Sequence, residues 1–275
     1  MTALPHITLT NPLDRMMRDA PAFTGLAVFI AVTAVPLLAA AALDARQFLD
    51  APIWQKPLQF HLALAVYLAT LAFFARFLPS GMTSRRWRIY AAVVCFAVIA
   101  ELVWVGGAAT FGVASHFNTD DPVMGAVYGV MGVLAVILTS ASMVMGIAIW
   151  RNPATGLPPA LHLSVALGLV MTFALTLVAA GTLSSMSGHL VGTPVTGARL
   201  AVLGWSREVG DLRVGHFFAT HALHVLPLVA LALPRGMAPV IARRLVWGSA
   251  AAYAALVGFA MLQALQGRPF LPWLG

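Results

Sequence analysis

A chain of 275 residues that is 60% hydrophobic and only 9% charged cannot keep water as the main solvent of its surface, because soluble domains carry about a quarter charged residues. The mean hydropathy of +0.89 points the same way. The formal charge of +7 does not indicate nucleic acid: the sixteen Lys and Arg are spread through short loops without an aromatic-interleaved patch, so no nucleic-acid partner is expected.

In chain order, residues 1–21 read as an N-terminal cytoplasmic segment, with a short interfacial helix over Asn11–Asp19. Arg15 and Arg18 precede an apolar run at 22–43 that is too long for a secretory signal, so it reads as a retained first span. Six further runs, at 58–78, 88–110, 123–150, 160–183, 214–233 and 245–265, meet the length of about twenty residues that a bilayer demands. They are bounded by Pro, Gly or charge, as at Pro57, Pro79–Gly81, Asp120–Pro122 and Asp211–Arg213. No stretch alternates convincingly with period two, which argues against a β-barrel. The expected fold is therefore all-α: a polytopic bundle of seven transmembrane helices in a single domain over 22–265, with an outer tail at 266–275. Cys95, the only cysteine, lies in an apolar run and reads as a core thiol.

Lys and Arg in the loops orient the spans. Ten of the sixteen fall on one side (Arg15, Arg18, Arg76, Arg85, Arg86, Arg88, Arg151, Arg235, Arg243, Arg244) and six on the other (Arg46, Lys56, Arg199, Arg207, Arg213, Arg268). This bias places the N-terminus in the cytoplasm and the C-terminus in the periplasm of a bacterial-type inner membrane. Trp54, Trp87, Trp150, Trp205, Trp247 and Trp273 fall near span ends, as interfacial rings do, and Trp104 is the exception.

The chain also matches itself at an offset of 155: residues 60–82 align without gaps to 215–237. His61 pairs with His216, and Leu-Pro-x-Gly-Met at 78–82 with the same pattern at 233–237. A parallel repeat relating spans one to three with spans five to seven follows as an expectation. Span four would be the connector. Its Gly125, Gly129 and Gly132 form a small-residue face for a close helix contact or a homodimer seam.

Six of the eight histidines fall in the outer half of this topology or in its loops. His216, His221 and His224 lie on span six; at about 100° per residue, His221 and His224 point roughly 140° and 80° from His216. An imidazole in hydrocarbon needs a partner, a water-filled cavity or a cofactor. His61, His216, His221 and His224 are accordingly candidate ligands of a metal ion or of haem b, with Glu101 able to complete the set. The plain alternative is hydrogen bonding across helices.

Glu101, the one carboxylate well within a span, is the candidate proton-carrying group, and Tyr128 on span four is a candidate donor into the outer cavity. His116 is a candidate cofactor-binding residue, and the polar run that holds it, Ser115–Pro122, can cap span four or lid a cavity. Lys56 and Arg213 each precede a span bearing a repeat-matched histidine; they are candidates for an anionic headgroup, a haem propionate or a substrate, against simple interfacial snorkelling. The loop over 184–213 is the longest, and long ordered loops are often functional.

The histidine placement resembles that of seven-span zinc hydrolases of the adiponectin-receptor and ceramidase type. Span seven here carries no histidine, and that departure keeps their residues from being carried over. The leading expectation is a metal- or haem-binding protein of membrane redox or electron transfer, an oxidoreductase class. The alternatives are a proton- or ion-coupled transporter using Glu101 and the histidines, and a non-catalytic subunit or assembly factor. Expected partners are the lipid bilayer, a small-molecule or quinone substrate, and a second copy or larger membrane complex.

Overall fold

The computed structural model describes residues 11–48, 51–200 and 203–272. His6 and Trp273 lie outside these ranges, so what the sequence suggests for them has no structural counterpart. The chain is an all-α, polytopic membrane protein: among the described residues, seven helices are long and apolar enough to cross a bilayer. Cα packing divides it into two units, Met1–Ser115 with three of the spans and His116–Gly275 with four.

Unit 1 opens with a short helix, α1 (Pro12–Asp19), which the Asn11 side chain caps by accepting from Leu13 N, with proline at the first turn. The first span, α2 (Pro21–Leu43), carries Pro36 inside the helix. A two-residue antiparallel ribbon, β1 (Gln47–Phe48) with β2 (Ala51–Pro52), turns the chain into α3 (Gln55–Phe74). A 3₁₀ turn at Ala75–Phe77 and an extended segment, β3 (Pro79–Met82), lead to α4 (Arg85–Phe111). Ser84 caps α4, and Gly112 ends it in the left-handed region at φ 69°. The three spans pack on one another around Phe23, Ile30, Leu68, Leu71, Val94 and Val98, all essentially inaccessible.

Unit 2 begins with α5 (Pro122–Trp150). As the polar run led one to expect, Asp121 caps it, accepting from Val123 N and Met124 N at 2.9 Å each. Its Gly129 and Gly132 would meet nothing within 4 Å if given a Cβ. The hub is α6 (Pro159–Ser184), which packs against α5 and both later spans, and 56% of its apolar window is buried against 11% for α2. A long loop holds β4 (Leu190–Val191) against β5 (Gly210–Asp211) and leads into α7 (Leu212–Ala232), followed by α8 (Pro239–Leu265). The last span thus starts a turn and a half before the apolar run does, because Pro239 opens the helix and Arg243 and Arg244 stand within its first turns.

Candidate functional site

Unit 1 has a shallow, open cleft of about 400 Å³ at the end where α2 hands over to α3. It is lined by Thr33, Pro36 and Leu37 from α2, Trp54 and His61 from the start of α3, and Leu102, Val103, Gly106, Gly107 and Thr110 from the last turns of α4. The two glycines widen it: a Cβ at either would meet nothing within 4 Å.

The polar groups on these walls share one property. Trp54 Nε1 donates to Asp44 Oδ2 at 2.9 Å. Thr33 Oγ1 donates to the carbonyls of Phe29 and Ile30 at 3.0 Å, and Thr110 Oγ1 to that of Gly106 at 3.0 Å. His61 Nδ1 lies 2.8 Å from the Pro57 carbonyl, which can only accept, so Nδ1 carries a proton and, in the neutral ring, Nε2 is an acceptor. Every donor on the wall is thereby committed, and what remains is the His61 ring nitrogen and two hydroxyl oxygens. The cleft offers acceptors.

Its rim is held by charge. Arg46 donates to both carboxylate oxygens of Asp44, at 2.7 Å for the shortest contact, and to the Thr110 carbonyl at 3.1 Å. The α2–α3 loop is thus tied to the end of α4. The Arg46 guanidinium, helped by the Trp54 indole, holds the Asp44 carboxyl well below the ordinary carboxylate range. Lys56 stands at the second position of α3, 6.0 Å from the Phe60 ring. Glu101 is 3% exposed on α4, and among the described residues its Oε1 has no hydrogen-bond partner. Trp104, the tryptophan away from the span ends, donates to the Ser115 carbonyl at 2.8 Å and fastens the segment after α4.

Unit 2 places its candidates differently. The His116 and Tyr128 rings come together, with centroids 5.6 Å apart, and Phe117 packs on the same tyrosine at 5.6 Å. The Arg213 guanidinium grips Asp211, with its Nη2 2.6 Å from Oδ2 and also 2.6 Å from the Gly204 carbonyl. Asp211 is 1% exposed, and this pair anchors the long loop at the start of α7.

The expected metal or haem b site is overturned. Among the described residues, no three His, Cys, Asp or Glu side chains gather closely enough to hold a metal ion. The physical reason is the use made of the rings on α7. His221 and His224 pack edge to face at 5.3 Å, and His221 lies 4.1 Å from the Phe217 ring, so these imidazoles act as aromatic packing rather than converging on a point. The buried Nδ1 atoms of His216 and His221 have no hydrogen-bond partner among the described residues. His61 belongs to unit 1, with its Nδ1 given to Pro57. The histidine-cluster, metal-binding and oxidoreductase readings fall together, and with them the haem propionate considered for Lys56 and Arg213.

Of the residues that form the cleft, the sequence pointed to His61 as a ligand and to Trp54 only as an interfacial ring. The signal available was the Gly106-Gly107 pair in an apolar span together with an Asp-x-Arg motif, Asp44–Arg46, just after the preceding span. Comparison with protein families, with curated proteins and with solved structures gives no match to this chain.

Proposed function

We propose that the protein is a membrane-embedded binding protein for a small lipophilic molecule bearing a hydroxyl or N–H group, and that this molecule occupies the Trp54–His61 cleft. The observation that carries the reading is the acceptor-only inventory of the walls, with His61 Nε2 as the principal acceptor. A volume of about 400 Å³ lies within the range of roughly 300–1,000 Å³ typical of small-molecule sites. Apolar Leu37, Leu102 and Val103 beside Pro36 suit a hydrocarbon or ring body, and the cleft is open on one side. The charge bias of the loops supports an inner, plasma-membrane location with a cytoplasmic N-terminus and a periplasmic C-terminus.

The test is a matched pair of ligands: a naphthol and its methyl ether, titrated into purified protein and followed by Trp fluorescence. The naphthol should bind up to about tenfold more tightly, the worth of one net hydrogen bond. His61→Phe should bring the two ligands to equal affinity. Gly106→Leu, which adds a side chain into open space, should weaken both. Equal binding of the pair by the unaltered protein would sink the proposal.

A further inference from the structure

Unit 1 holds a second cavity, also of about 400 Å³, at the end opposite the Trp54–His61 cleft. It forms where α1 turns into α2 and where β3 delivers the chain to α4, and its walls are residues 20–23, Met82, Arg88 and Ala91. Ala20, Phe23, Met82 and Ala91 are buried, so the interior is apolar, while Arg88 is exposed at the rim.

The level of this cavity follows from the helices. Pro21 is the first residue of α2 and Arg88 lies in the first turn of α4, so the cavity opens where both spans enter the bilayer. The short helix α1 marks the same level. Its Leu13 and Met17, one turn apart, are exposed apolar side chains, and Arg15 and Arg18 lie between and beyond them, the pattern of a helix resting in the headgroup boundary. The end of α1 is seated against β3 so closely that a Cβ at Gly81 would stand 2.8 Å from the Asp19 carbonyl oxygen, and Gly81 has φ +56°.

The charge on this rim is complementary to an anion. Arg88 has no carboxylate partner among the described residues, and the Asp19 carboxylate on α1 is paired with Arg15 at 3.6 Å. Arg85 and Arg86 are exposed in the same turn as Arg88.

We propose that this cavity binds an anionic phospholipid, with an acyl chain against Phe23, Met82 and Ala91 and the phosphate on the Arg88 guanidinium. The apolar walls select a lipid over a free phosphate ion, which would leave them unfilled. The site is separate from the cleft of the proposed function and stands without it.

The experiment uses the full-length protein in nanodiscs made from equal amounts of phosphatidylglycerol and phosphatidylcholine, with retained lipid counted by native mass spectrometry. The unaltered protein should retain phosphatidylglycerol preferentially. Arg88→Gln should lower that preference about fivefold, the worth of one basic residue at an anionic headgroup, and Arg88→Lys should keep most of it. Ala22→Trp, at an exposed lining position, should displace the retained lipid by filling the mouth. Arg86→Gln, outside the cavity, should change little. Equal retention of the two lipids by the unaltered protein overturns the proposal. So does an Arg86→Gln effect as large as that of Arg88→Gln, or lipid that survives Ala22→Trp.

Discussion

One carboxylate organises much of the long loop in unit 2. Glu208 accepts from Val195 N at 2.6 Å, Thr196 N at 3.0 Å, Thr196 Oγ1 at 2.7 Å and Ala198 N at 2.7 Å, donors that suit an anion and not a neutral amide. The Thr196 hydroxyl, together with the amides of Thr196, Val195 and Ala198, pulls its pKa from 4.5 to about 2. A carboxyl lowered in the folded state stabilises it in full above its ordinary value. That stabilisation is lost as the pH falls from about 4.5 towards 2. Amide hydrogen exchange over 195–198 should therefore be slow at pH 6 and accelerate across that window after correction for intrinsic rates. Glu208→Gln should exchange fast throughout, with no step. An unchanged profile in the variant would remove Glu208 as the organiser. The sequence could not show this arrangement, because the partners lie 10–13 residues upstream in a loop without periodicity. Glu101 was legible for the opposite reason: a single acid within an apolar span stands out whatever surrounds it.

Among the elements, the pairing of α6 with α7 depends on a missing side chain. A Cβ at Gly168 would lie 2.9 Å from the Ala222 carbonyl oxygen and 3.1 Å from Leu223 Cα, both backbone atoms that cannot swing aside. One turn along, Thr172 Oγ1 accepts from Leu223 N at 2.8 Å, a bond between helices just before Pro227 interrupts the α7 ladder. Gly168→Val should force the helices apart at a cost of about 1–3 kcal/mol, read as a lower apparent Tm in detergent. Gly181→Val, with open space around its Cβ position, should cost far less. Similar losses for the two would show that the α6–α7 approach is not tight. Span bounds were readable because hydropathy, Pro at the first turn and Asp or Ser caps are local signals. Helix contacts were not, since Gly168 looks like any glycine in an apolar run. The histidines of α7 failed for a related reason: periodicity gives an angle around one helix but not what the ring touches, and there it touches Phe217 and another histidine. The self-match at an offset of 155 also met only part of what the units share. Gly81 and Gly236 hold the same motif position and both have positive φ, at 56° and 92°. The Asp-x-Arg pairs Asp44–Arg46 and Asp211–Arg213, each beside a two-residue ribbon, are 167 residues apart, so a gapless scan misses them.

At the scale of the whole chain, seven crossings, an odd number, would put the two termini on opposite faces of the bilayer, and charge would then decide which face is which. The bias is ten basic residues against six, and three of the ten, Arg85, Arg86 and Arg88, stand together in the first turn of α4. Near-surface charges of this kind act on insertion one by one, so removing the three leaves seven against six and nearly abolishes the preference. A C-terminal alkaline phosphatase fusion should therefore be active in the unaltered protein, and a C-terminal green fluorescent protein fusion dark. With Arg85, Arg86 and Arg88 all replaced by Gln, phosphatase activity should fall and fluorescence appear, as part of the population inserts the other way round. A fluorescent, phosphatase-inactive unaltered protein would reverse the charge reading and leave the span count standing. A reporter at the N-terminus on the same face as one at the C-terminus would instead break the count of seven, and one of the apolar helices would have to be read as lying along the membrane rather than across it.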